Sequence, residues 1–101
     1  MRVEILHIVD CPNTDEAVAN VSAALTELER GDTPILMRLL TSSADAAEVA
    51  FGGSPTILFD GVDAFAGDRT SDLACRVYLT PKGLAGAPSV AALVEAMRVR
   101  L

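Results

Sequence analysis

The succession of apolar patterns between residues 3 and 40 constrains the fold more than any other feature of the chain. Val3, Ile5, Leu6, Ile8 and Val9 make a short, β-branched run that reads as a buried strand. Asp10-Cys11-Pro12-Asn13-Thr14 breaks it with turn and capping residues. The period then changes. Val18, Val21, Leu25 and Leu28 recur at steps of three and four, the stripe of an amphipathic helix. Asp15 and Glu16 stand in its first turn, where the helix dipole favours carboxylates, and Gly31 is expected to end it. Residues 34–40 read as a second, mostly buried strand. Strand, helix and strand in that order demand a right-handed crossover and a parallel pair.

The rest of the chain completes one layer on each side. Ser42 or Ser43 is expected to cap a short helix through Ala44, Ala46, Ala47, Val49, Ala50 and Phe51, stopped by Gly52-Gly53. Residues 54–61 read as a third strand, entered through Pro55 and left through an Asp60-Gly61 turn. Residues 62–74 lack periodicity and are expected to be an extended loop, with a turn of helix at 71–74. Arg76-Val77-Tyr78-Leu79 alternates as a fourth strand, and residues 80–88 read as a loop. Ser89 caps a last helix whose apolar face is Val90, Leu93, Val94, Met97 and Leu101. The expected fold is a single α/β domain over residues 1–101. It holds a four-stranded mixed sheet with helices on both faces, in the order β-α-β-α-β-β-α.

Composition removes several classes of function. A net charge of −6, with basic residues scattered along the chain, speaks against a nucleic-acid partner, which needs clustered Lys and Arg. Hydrophobic content of 50% speaks against intrinsic disorder. Glu4 and the lack of a long apolar run leave the N-terminus unlike a signal peptide or a membrane span, so a cytoplasmic protein without a membrane partner is expected. Cys11 and Cys75 are the two cysteines, too few for a disulfide framework. With His7 the single histidine, a four-ligand metal finger fails too, and no cofactor is expected.

Cys11 is where chemistry is expected. It lies at a strand-to-helix junction, and a helix N-terminus offers unpaired N–H groups and partial positive charge to a thiolate. Cysteines so placed have pKa values lowered to roughly 3.5–7.5. Pro12 suits the first helical position, and Thr14 can point a hydroxyl at the sulfur or at the backbone. A buried structural cysteine, with Asn13 or Thr14 as the cap, is the plainer alternative.

Gly52-Gly53-Ser54-Pro55-Thr56, followed by Ile57-Leu58-Phe59 and Asp60-Gly61, resembles the thioredoxin superfamily, in which a strand follows a cis-proline lying against the active-site cysteine. The resemblance covers most of the chain. Cys11-Pro12-Asn13-Thr14 falls where the family carries its CxxC, and Gly86-Ala87-Pro88-Ser89 opens the last helix in a similar way. The stretches around Cys11 and Cys75 also look similar to small bacterial thioredoxin-family proteins. This likeness implies a redox-active Cys11, a cis Pro55, and a Ser54 backbone that pairs with a bound peptide or thiol substrate. Pro12, Ser54 and Pro55 would line the substrate, which would be a small-molecule thiol or a protein disulfide. The protein would be a monomer or a weak dimer.

Thr14 departs from the family pattern, because the second cysteine of CxxC resolves the mixed disulfide. Resolution then falls to an external thiol or to Cys75. If residues 76–79 are the strand after the third, Cys75 starts at the far end of the sheet, about 15 Å away, although residues 62–74 are long enough to bring it back. Two other classes of function stay open. One is a non-catalytic thioredoxin-fold binding module, favoured by the absence of Trp. The other is a soft-metal or organomercurial (alkylmercury lyase-like) thiol site built from Cys11, Cys75 and Asp10. His7 reads as a core or helix-covered residue; Asp60, Asp63, Asp68 and Asp72 read as solvated loop carboxylates.

Overall fold

The computed structural model describes residues 1–65 and 67–101; residue 66, within the expected 62–74 loop, lies outside the described residues. Strand β1 (Val3–Ile8) is the spine of the molecule. It pairs in parallel with β2 (Ile35–Leu40), from Val3 opposite Ile35 to Ile8 opposite Leu40. On its other side it pairs antiparallel with β3 (Thr56–Phe59), with Ile5 opposite Ile57. The Asp60-Gly61 turn, both residues at positive φ, returns the chain into β4 (Val62–Asp63). The result is a four-stranded mixed sheet in the order β2-β1-β3-β4. The crossover that a parallel β1–β2 pair requires is α1 (Thr14–Glu27).

Alternation along β1 divides the core in two. Val3 and Ile5, with Ile57 and Phe59, face α1 and the last helix, α3 (Val90–Arg98). Val21, Ala24 and Leu25 of α1 and Leu93, Val94 and Met97 of α3 complete that layer. Leu6 and Leu58 point to the opposite face, where they meet Leu40, Phe51 and Ala46 of the five-residue α2 (Ser43–Ala47). Helices therefore cover both faces. Burying each of the large side chains contributes about 1.5–3 kcal/mol. Among the described residues no helix is long and apolar enough to cross a membrane.

Several boundaries differ from the sequence pattern. The fourth strand of the sheet is β4, not residues 76–79. Tyr78–Thr80 (β5) instead pairs antiparallel with Gly83–Ala85 (β6) in a separate two-stranded hairpin within the expected 80–88 loop. Strand β2 is mostly exposed; it is the sheet edge, and Leu36, Met37 and Leu39 face solvent while Leu40 at its end is buried. Gly31 does not end α1. The left-handed residue is Glu29 (φ 60°), closed by Arg30 N–H donating to the Leu25 carbonyl at 2.7 Å and Glu29 N–H to the Thr26 carbonyl at 3.0 Å. Helix α2 stops at Glu48, before the glycine pair. Its cap is Ser42, whose hydroxyl accepts from Asp45 N–H, and Ser89 caps α3 the same way through Ala92 N–H.

Candidate functional site

The site forms where β1 gives way to α1. Asp10 adopts a left-handed conformation (φ 58°), which short acidic side chains tolerate, and this turns the chain so that Cys11 precedes the helix. Asn13 is the N-cap and Thr14 the first helical residue, so Pro12 sits outside the helix and not at its first position. The Asn13 side chain does not cap. It lies against Gly86, where a Cβ would come within 2.2 Å of the Asn13 amide, so a side chain at position 86 would force the Asn13 side chain to move.

Cys11 is half-buried and its thiol is free. Partial burial pushes the thiol up. The Ser54 hydroxyl, then the Thr14 hydroxyl and the backbone groups of Asn13 and Thr14, outweigh that cost and hold it below its ordinary value. The Thr14 hydroxyl is buried and makes no hydrogen bond of regular geometry, so it acts on the sulfur by proximity. Ser54 is fully buried, and its Oγ accepts Ile8 N–H at 3.2 Å. The hydroxyl proton is thus not used in that bond and is free to turn toward the neighbouring Cys11 sulfur. The Ser54–Pro55 peptide bond is cis.

Cys75 lies beside Ser54. Ser54 and Cys75 form an isolated parallel bridge: Ser54 N–H donates to the Ala74 carbonyl and Arg76 N–H to the Ser54 carbonyl, each at 2.8 Å. Paired residues present their side chains on one face of a ladder, so Cys75 shares the face of the Ser54 hydroxyl. The far-end placement inferred from a strand at 76–79 is therefore corrected; residues 62–74 do carry the chain back. A second correction follows from the same bonds. The Ser54 main chain, expected to be open to a substrate, is already paired with the chain's own residues 74 and 76.

Arg76, which the sequence pattern places only as a strand residue, fastens this segment. It is 9% exposed. Its Nη1 donates to Asp63 Oδ2 at 2.7 Å, Nη2 reaches the Phe65 carbonyl at 3.3 Å, and the guanidinium stands 4.8 Å from the Tyr78 ring centroid. Asp63 is thus an ion-pair partner and not a solvated loop carboxylate. The Tyr78 hydroxyl donates to the Pro55 carbonyl. Burial holds that phenol well above its ordinary pKa, so it remains a donor. Gly53 (φ 109°) completes the fit, because a Cβ there would lie 2.8 Å from Arg76 Cβ. The signal present in the sequence was the alternation of Arg76 with Tyr78, which puts a cation and an aromatic ring on one side of a strand.

The remaining candidates stand apart. His7 is half-buried in β1, on the face of Val3 and Ile5. Asp60 accepts Arg2 N–H at 2.7 Å. A cleft of about 400 Å³ lies between Glu16 and Asn20 of α1 and the β5–β6 hairpin, and neither cysteine lines it. Comparison with protein-family models, with curated proteins and with solved structures gives no match.

Proposed function

We propose that the protein is a thioredoxin-like thiol–disulfide exchange protein whose nucleophile is Cys11. One arrangement carries the reading: the free, half-buried Cys11 thiol stands just before α1 beside the buried Ser54 hydroxyl and the cis Ser54–Pro55 bond, surroundings that favour its thiolate. A thiolate is the attacking species in disulfide exchange, and its fraction at neutral pH rises as the pKa falls toward 7.

The chemistry takes two exchanges. Cys11 Sγ, as thiolate, attacks one sulfur of a substrate disulfide; that S–S bond breaks and the other half leaves as a thiolate. Cys11 is then in a mixed disulfide. An external thiolate then attacks the partner sulfur, taking that half into a new disulfide and expelling Cys11 as thiolate; or Cys75 attacks Cys11 Sγ, expelling that half as thiolate and leaving a Cys11–Cys75 disulfide that two external thiols reduce. Thr14 occupies the place of a resolving cysteine, so its hydroxyl assists the first step and takes no part in the second. Both thiols rest in the reduced form in a reducing compartment.

The test is exchange with a chromogenic disulfide by the wild type and by Cys11→Ser. Loss of the fast phase in the variant is expected. Equal rates in the two proteins would sink the proposal.

A further inference from the structure

We infer that the exchange partner of Cys11 is a low-molecular-weight disulfide and not an extended protein chain; the inference rests on Cys11 being the nucleophile. Extended peptides are held by sites that leave main-chain N–H and C=O groups open for strand addition. At this site the groups beside the thiol belong to Ser54, and both are bonded at 2.8 Å to residues 74 and 76. The position a substrate strand would take is filled from within the chain.

That filling is fastened and not merely laid down. Arg76 N–H makes one of the two bonds, and the Arg76 side chain is anchored by Asp63, the Phe65 carbonyl and the Tyr78 ring. Its backbone lies against Gly53 at a distance that leaves no room for a side chain there. A peptide that displaced this strand would take over the two Ser54 bonds but would pull a mostly buried guanidinium away from Asp63, the Phe65 carbonyl and the Tyr78 ring. A disulfide that needs no main-chain pairing asks for none of this. It has only to bring a sulfur to the half-buried Cys11.

The test compares two disulfides with the same leaving group on the reduced wild-type protein. One is bis(2-hydroxyethyl) disulfide. The other is a short unstructured peptide whose central cysteine carries the hydroxyethyl mixed disulfide. In each, Cys11 attacks one sulfur and 2-mercaptoethanol leaves from the other (in the peptide, when the attacked sulfur is its cysteine's), and release of 2-mercaptoethanol is what the assay reads. The expected result is that the peptide reacts no faster than the small disulfide, and that the Ser54 and Arg76 amides keep their hydrogen-exchange protection with the peptide present. A peptide rate more than about tenfold higher, or loss of that protection, overturns the inference and leaves the Cys11 reading intact. If Cys11→Ser matches the wild type on both substrates, the reading itself fails and takes the inference with it.

Discussion

Ser54 couples the fold to the thiol through a single oxygen. Because its Oγ accepts Ile8 N–H, Ser54→Ala removes a donor from Cys11 and leaves a main-chain N–H without its partner. Two effects are expected. The midpoint of Cys11 alkylation against pH moves up, so alkylation at pH 7 slows, and stability falls by about 1–3 kcal/mol. Thr14→Val should move the midpoint in the same direction by less, with little change in stability, since the Thr14 hydroxyl is already unbonded. A midpoint that stays put in Ser54→Ala would contradict the account of the thiol. Arg76→Met leaves Asp63 without its partner in a mostly buried pair, and a loss of about 2–4 kcal/mol in urea denaturation is expected. Cys11 and Ser54-Pro55 were legible in the sequence because their neighbours announce them: a strand that ends in turn residues, and a glycine pair before a proline. Arg76 and Asp63 were not, because the loop between them carries no period that would align a cation with a carboxylate.

At the scale of elements, existence was legible and ends were not. The stripe of Val18, Val21, Leu25 and Leu28 fixes α1, but its C-terminus is decided by which residue accepts a left-handed conformation. Glu29 does so, two residues before the glycine that the pattern favoured. Glu29→Gly should therefore stabilise the protein by about 0.5–1 kcal/mol, read as a Tm increase of a few degrees. A decrease would mean that the Glu29 side chain makes a contact the left-handed turn depends on. Strand β4 has two residues, too few to show alternation, and so its place in the sheet passed to residues 76–79 in the sequence reading. Strand β2 misled for a different reason. An apolar run reports that side chains dislike water, not that a helix is available to cover them.

The whole molecule is held by the two layers around β1, and the sheet edge contributes little. Ile5→Ala should cost about 2–5 kcal/mol, because Ile5 is fully buried between β3 and the α1–α3 layer. Leu39→Ala, at a position 48% exposed, should stay within about 0.5 kcal/mol of the wild type. Similar losses at both sites would place β2 inside a core. Both faces of the sheet were legible from the β1 alternation, while the return of Cys75 was not, since only three-dimensional pairing with Ser54 shows where the chain comes back. That pairing has a concentration behind it. A segment joined to its binding edge by a short stretch of chain competes for that edge at a local concentration of about a millimolar. A free peptide present at about a micromolar, making the same bonds, is outcompeted about a thousandfold, equivalent to about 4 kcal/mol. Connectivity acts from both sides of the segment, so a cut between residues 67 and 73 would leave residues 74–76 tethered through Tyr78 and α3 and the edge still occupied.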